Sequence, residues 1–342
     1  MSEIILGIES SCDDTSAAVL QGEYLLSNVM ASQDVHRKYG GVVPELASRA
    51  HQQNILPVVN QAIADAGITL EDVDAIAYTR GPGLLGSLLV GTSFAKGLAV
   101  AIDKPMVDVN HLQGHILSHF IKERGKEHSA PDFPFLALLV SGGHSQIVRV
   151  DDYLHFEVLG KTIDDAVGEA FDKCAKLLEL GYPGGPIVDR LAKLGDPLRF
   201  KFAKPQISGF DYSFSGVKTS LLYFLRDNIA ENENFISENI NDICASFQRT
   251  LIDVLLNKLV KCAKATGIKD IVIGGGVSAN SELRQRIVTE RKKRGWRTFI
   301  PEFKFTTDNA AMIAIAGLYK FRAGLTCGLD AAPVSRALDF NK

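Results

Sequence analysis

The chain uses one small pattern twice, and that repetition limits the folds open to it. Residues 4–8 and 17–20 are compact apolar runs separated by the polar stretch Glu9-Ser-Ser-Cys-Asp-Asp-Thr-Ser16. Residues 135–140 and 146–150 repeat the layout around Ser141-Gly-Gly-His-Ser145. Apolar runs of this length, bounded by small polar residues, read as strands joined by a turn. Two such hairpins, one opening each half, predict a duplicated fold with a cleft between its lobes. The charged, broken segment at 122–132 marks the boundary between them.

A crossover unit follows the first hairpin. Residues 73–79 form a strand that enters Arg80-Gly-Pro-Gly-Leu-Leu-Gly-Ser87, and an apolar helix then runs to about Ile102. Strand, glycine-rich turn, helix and the next strand at 105–109 make a right-handed βαβ unit. No Lys-Ser/Thr follows the glycines, so this is not a P-loop, and no well-spaced GxGxxG with a later acid stands here. Asn110 is a good N-cap, so a helix begins at His111. His111 and His115 then lie one turn apart on one face, where two imidazoles can chelate zinc or iron. His119, one turn further on, could replace His111 as the partner of His115. A zincin protease needs Glu directly after the first His, and Leu112 stands there instead. A helix with three partly exposed histidines and no ion is the alternative.

The 342 residues suffice for about two domains. A formal net charge of -3 excludes a globally basic surface, so a nucleic-acid partner must meet a local patch. The cysteines (Cys12, Cys174, Cys244, Cys262 and Cys327) are scattered, odd in number and lack any CxxC pair, which points to free thiols in a reducing compartment. With no signal peptide and no apolar stretch of membrane-spanning length, the chain reads as cytoplasmic.

Several other stretches carry chemistry. Glu9, Asp13 and Asp14 end a buried strand and could hold Mg²⁺ and contact phosphates, although a plain turn explains the same residues. Pro44 fits a helix start, and Arg37, Lys38, Arg49 and His51 could line a substrate-facing rim. Ser141-Gly-Gly143 offers backbone amides for an anion. Asp165, Glu169 and Asp172 recur at helical steps within a helix expected over 161–180. Gly181-Tyr-Pro-Gly-Gly-Pro186 follows, with Asp189 just beyond. These acids suit ribose hydroxyls, a metal-bound phosphate or a solvated face. Residues 195–216 interleave aromatic and basic side chains, a pattern that can stack bases or pack an insertion. The chain is mostly helical from Val217 to about Thr266. The strand at 271–273 then enters Gly274-Gly-Gly-Val-Ser-Ala-Asn280, the best nucleotide signal by local context. Arg284, Arg286, Arg291, Lys292, Lys293, Arg294 and Arg297 form a basic block that could meet phosphates. Thr307 or Asp308 is expected to cap the apolar helix that starts at Ala310. If that helix packs on the first lobe, Asp308 reaches the histidines.

Taken together, these motifs resemble one family. They are Glu9-Ser-Ser-Cys-Asp-Asp-Thr15, Tyr39-Gly-Gly-Val-Val-Pro-Glu-Leu-Ala-Ser-Arg49, Gly81-Pro-Gly83, Asn110-His-Leu-Gln-Gly-His115, Leu139-Val-Ser-Gly-Gly-His144, Gly168-Glu-Ala-Phe-Asp-Lys173, Tyr182-Pro-Gly-Gly185, Gly274-Gly-Gly-Val-Ser-Ala-Asn280 and Thr307-Asp-Asn309. The chain is similar over nearly its whole length to bacterial TsaD proteins, the tRNA adenosine threonylcarbamoyltransferases formerly called O-sialoglycoprotein endopeptidases. One departure is Asp14, where the family pattern usually has Glu.

The resemblance implies an α/β fold of two RNase H-like lobes of the actin/Hsp70/sugar-kinase (ASKHA) type around a central cleft. Residues 1–130 plus 306–342 would form the N-terminal lobe and 131–305 the C-terminal lobe. It implies transfer of threonylcarbamoyl from threonylcarbamoyl-adenylate to N6 of the adenosine beside the tRNA anticodon, releasing AMP. By motif position His111, His115 and Asp308 would be ligands of one divalent metal, Fe²⁺ ahead of Zn²⁺. Leu139, Val140, Ser141, Gly142, Gly143, Asp172, Gly185, Asp189 and Asn280 would hold the adenylate or another adenine nucleotide, with Mg²⁺ as an option. Asp13 and Asp14 are the catalytic candidates. The implied partners are tRNA, TsaB-like and TsaE-like proteins, and a TsaC-like enzyme that supplies the adenylate. Other classes stay open. A sugar kinase shares the fold but has no use for His111 and His115, a metalloprotease uses them but lacks the Glu, and a non-catalytic partner would not need the metal and glycine motifs.

Overall fold

The computed structural model describes residues 2–33, 36, 39–336 and 340. They divide into two compact units, residues 1–130 with 151–156 and 301–342, and residues 131–150 with 157–300. The return to the first unit thus begins at Pro301 instead of 306. The short segment 151–156 also belongs to the first unit, because the Tyr153 ring stacks on Tyr319 at 3.7 Å between centroids.

The first unit is built on a five-stranded sheet. Its strands are β1 (Ile4–Glu9), β2 (Thr15–Gln21), β3 (Tyr24–Ala31), β4 (Ala75–Gly81) and β5 (Met106–Asn110), in the order β3-β2-β1-β4-β5. β1 pairs antiparallel with β2 and parallel with β4. The second unit repeats this order. Its strands are β6 (Phe135–Val140), β7 (Ser145–Val150), β8 (Phe156–Lys161), β9 (Asp270–Gly274) and β10 (Arg297–Phe299), ordered β8-β7-β6-β9-β10. β6 is antiparallel to β7 and parallel to β9. The duplication expected from the two hairpins is therefore present strand for strand.

Strand alternation decides what each face of the first sheet carries. Leu6, Ile8, Ile76 and Tyr78 turn to one face and join a core with Ile55, Val59 and Ala95. Those partners come from α1 (Pro44–Ala66) and α2 (Leu85–Ile102). Pro44 opens α1 as expected, where its missing N–H costs nothing. By length and composition α2 could cross a membrane, contrary to the expectation that no stretch reaches that length, but here it packs against α1 and β4 as the crossover of the βαβ unit. The intervening residues of β1 and β4, among them Gly7, Glu9, Ala77 and Thr79, turn to the other face. There α9 (Ala310–Arg322), rich in Ala, lies close on the sheet.

In the second unit the helix expected over 161–180 is shorter, α4 (Val167–Leu177), because Lys161 ends β8. α5 (Gly184–Ala192) follows. The long helical stretch is two helices, α6 (Ser215–Glu231) and α7 (Phe235–Thr266), and α8 (Ser281–Arg294) completes the unit. The aromatic residues of 195–216 are mainly core: Phe202, Tyr212 and Phe214 are buried, and Phe202 sits edge-on to Phe224 and Phe247. They are not a stacking platform for bases.

Candidate functional site

Asn110 ends β5, and its side chain accepts from the Leu112 amide, starting α3 (His111–Leu117) at the predicted residue. His111 and His115 therefore share one face, with ring centroids 4.8 Å apart. Gly114 lets this helix approach α9, since a Cβ there would stand 3.1 Å from the Met312 carbonyl oxygen. The N-cap of α9 is Asn309, whose side chain accepts from the Met312 amide. That corrects the expectation for Thr307 or Asp308, and it has a consequence for the site. Relieved of capping, Asp308 places Oδ1 3.3 Å from His111 Nε2 and 3.2 Å from His115 Nε2. One ligand atom from each of the three side chains lies within 4.8 Å of the others. His119 stays outside this cluster, in the 3-10 turn Ser118–Phe120 that ends α3.

The charges around this cluster follow from its geometry. Burial pushes the His111 imidazole down, but the Asp308 and Glu9 carboxylates outweigh it and hold His111 well above its ordinary value. Burial pushes Asp308 up, yet the His111 charge and the bonds from both imidazoles keep it well below the usual carboxylate range. His115, deeper and beside a charged neighbour, is pushed down, chiefly by burial. Its Nδ1 is buried and has no hydrogen-bond partner among the described residues. Two imidazole Nε2 atoms and one carboxylate converging on a point fit a divalent transition-metal ion.

Asp13 and Asp14 lie on the β1–β2 turn, outside the three-residue cluster. Burial, then the neighbouring Asp13, pushes Asp14 up to about 6. His51 is not on a rim. It is buried, with Nδ1 2.8 Å from Thr15 Oγ1 and Nε2 3.0 Å from the Cys12 carbonyl oxygen, so it braces the turn that carries both acids. Arg49 pairs with Glu45 on the exposed face of α1, and Arg37 and Lys38 lie outside the described residues.

The second unit gathers its glycine-rich turns at the ends of two neighbouring parallel strands. Leu139 on β6 pairs with Gly274 on β9, so the turn at Ser141–Gly143 and the turn at Gly275–Asn280 lie side by side. Gly168 opens α4 directly against the Ser141 carbonyl and Gly142, an approach a Cβ would prevent. The amides of Gly142 and Gly143 have no acceptor among the described residues. Asp172 accepts from the Gly184 amide at 2.8 Å, and burial raises its carboxyl. It therefore holds the N-terminus of α5, where Gly185 sits. Asp189 accepts from the amide and hydroxyl of Ser281, tying α5 to α8, and Asn280 caps α8 while donating to Gln248. The expected acidic face divides instead: Asp165 and Glu169 share Lys173, at 2.8 and 2.7 Å. A cavity of about 430 Å³ at the start of α8 is lined by Lys193, Gln248, Arg249, Ser281 and Arg286 among others.

Known proteins bear on this geometry. The family model for TsaD, tRNA N6-adenosine threonylcarbamoyltransferase, matches residues 24–315. The chain belongs to the TsaD family. The protein so named in Porphyromonas gingivalis is 62% identical over 97% of this chain and 98% of its own length. The one in Phocaeicola vulgatus is 59% identical over 98% and 99%. Among solved structures, full-length HypF superposes with a TM-score of 0.62 at 14% identity, covering 94% of this chain and 46% of that one. Component A of the (R)-2-hydroxyglutaryl-CoA dehydratase of Acidaminococcus fermentans gives 0.51 at 17%, covering 93% and 99%. Together with the repeated sheet order, these likenesses place the TsaD chain in the ASKHA fold class.

Sequence reasoning missed some of the site's surroundings. Part of the basic block is held in ion pairs. Arg286 pairs with Asp253, Lys293 and Arg294 with Glu290, and Arg297 with Asp270 and Asp132, which leaves Arg291 and Lys292 exposed without an ion pair among the described residues. The approach of Glu9 to His111 was also missed, although strand alternation from Gly7 was available as its signal.

Proposed function

We propose that this protein transfers threonylcarbamoyl from threonylcarbamoyl-adenylate to N6 of the adenosine beside the anticodon in tRNAs reading codons that start with A. The observation that carries the reading is 62% identity, over almost the full length of both chains, to a protein named for this activity. In the reaction the adenine amine bonds to the carbamoyl carbon, the bond to the phosphate oxygen breaks, and AMP and a proton leave. A mixed anhydride is already activated, so no protein nucleophile is required.

His111, His115 and Asp308 would hold one divalent metal. Two His and one carboxylate with open positions suit Fe²⁺, and Zn²⁺ also accepts such a set. When bound, such an ion supplies Lewis acidity toward a carbamoyl or phosphate oxygen. The Gly142 and Gly143 amides would donate to the phosphate of the adenylate, with Leu139, Val140 and Ser141 shaping the strand end below them. Asp172, Gly185, Asp189 and Asn280 would line its nucleoside side. Asp13 and Asp14 would orient the incoming amine or a water, or hold Mg²⁺ with a bound nucleotide. The partners would be tRNA, TsaB-like and TsaE-like proteins, and a TsaC-like source of the adenylate, in the cytoplasm.

The test supplies threonine, bicarbonate, ATP, unmodified tRNA, the partner proteins and this chain, then digests the tRNA to nucleosides. Threonylcarbamoyladenosine formed only when this chain is present supports the reading. Its absence, with adenylate demonstrably accumulating, overturns it.

A further inference from the structure

Glu9 is a fully buried acid at the end of β1 whose hydrogen-bond neighbours can all donate to it. The Ser11 amide donates to its Oε1, which fixes that oxygen as an acceptor. The Thr79 hydroxyl donates to Oε2 at 2.6 Å from the adjacent strand β4. Oε2 also lies 3.0 Å from Nδ1 of His111. With Oε2 accepting from Thr79, Nδ1 is the donor in its contact with Oε2, so a ring that gives up its Nε2 proton to a metal is left in the Nδ1–H form with Nε2 facing Asp308 and His115. The Ser11 hydroxyl, 3.1 Å from the same Nδ1, can accept from it as well. A carboxylate behind a ligating imidazole fixes its tautomer and raises its basicity.

We infer that Glu9 is a positioning residue for the metal centre, holding His111 in the Nδ1–H tautomer so that Nε2 is the ligand atom. The inference rests on reading His111, His115 and Asp308 as a metal site. Glu9→Gln tests it sharply. The amide keeps an oxygen for the Ser11 amide but turns an NH₂ toward His111, which favours the opposite tautomer and removes the Nε2 lone pair.

The probe is Zn²⁺, with affinity measured by chelator competition on the full chain, alongside wild type and His115→Ala. Glu9→Gln, which removes the buried carboxylate facing His111, is expected to melt below wild type while remaining folded, and to bind Zn²⁺ roughly 10- to 100-fold more weakly. Long-range ¹H–¹⁵N spectra of the zinc-loaded wild type are expected to show His111 protonated at Nδ1 and ligated through Nε2, and this second measurement does not depend on the variant folding. Unchanged Zn²⁺ affinity in folded Glu9→Gln, or ligation of His111 through Nδ1, overturns the positioning role while leaving the metal site standing. Equal affinity in wild type and His115→Ala, or no binding by wild type, overturns the metal reading itself, and the role of Glu9 with it.

Discussion

At the residue scale the centre depends on a division of labour between two adjacent side chains. Asn309 caps α9, and Asp308 is thereby available to the two histidines. His115→Ala should therefore lower bound metal from near one equivalent to near none in elemental analysis of folded protein, and equal content in both would remove His115 from the ligand set. Proton linkage gives a second expectation. In the metal-free chain His111 is held well above its ordinary 6.5, so the stability it contributes is present below that value and is lost as pH rises through the raised one. A metal bound there would displace that proton, so affinity should strengthen as pH rises, which pH-stepped chelator competition can measure. Asp14 follows the same sign. Its folded value, about 6, stands above the ordinary 3.8, so its favourable contribution is complete below 3.8 and disappears as pH rises through 6. In metal-free protein Asp14→Asn should gain about 1 kcal/mol over wild type at pH 8, after allowing for partial exposure, and nothing at pH 3.5. Urea melts at the two pH values decide it, and a variant no more stable at pH 8 would mean that Asp14 is not strained.

At the element scale most of the plan was legible, because apolar runs and their turns are local signals. The two hairpins, the βαβ unit, the start of α3 at His111 and the one-turn His pair could all be read from spacing. What spacing could not give depends on faces and distant partners. The helix expected over 161–180 lost its first turn to β8, since Lys161 and Thr162 meet Asp211 and Tyr212 far along the chain. The aromatics of 195–216 look like a ligand surface until Phe224 and Phe247 cover them. Glu9 looked like one of three turn acids, although strand alternation sets it apart from Asp13 and Asp14. Asp172 carries an element-scale prediction, because one carboxylate holds the first turn of α5, in the stretch 181–186. Asp172→Ala should cost about 1 kcal/mol in stability and weaken adenine-nucleotide binding in calorimetry, while Asp172→Asn, which keeps an acceptor for Gly184, should retain most of the stability. Full nucleotide affinity in Asp172→Ala would place the nucleotide elsewhere.

At the scale of the whole molecule, a net charge of -3 means RNA cannot be drawn to the surface at large. Lys293 and Arg294 share the single carboxylate of Glu290, whereas Arg291 and Lys292 are exposed with no ion pair among the described residues. Replacing both by Glu should weaken tRNA binding and reduce the logarithmic salt slope by roughly 0.7 to 0.9 for each phosphate no longer neutralised. A salt titration with and without the partner proteins checks this, and an unchanged slope in both would leave the end of α8 a solvated face. The two sheets of equal order give the chain one lobe that carries a His-His-Asp cluster and another that carries the glycine-rich turns. The most direct measurement is the threonylcarbamoyladenosine content of tRNA after reconstitution with wild type or with folded His115→Ala, each supplied with the same partners and adenylate. Product is expected with wild type and none above the enzyme-free control with the variant, whereas equal yields would contradict a catalytic role for the cluster.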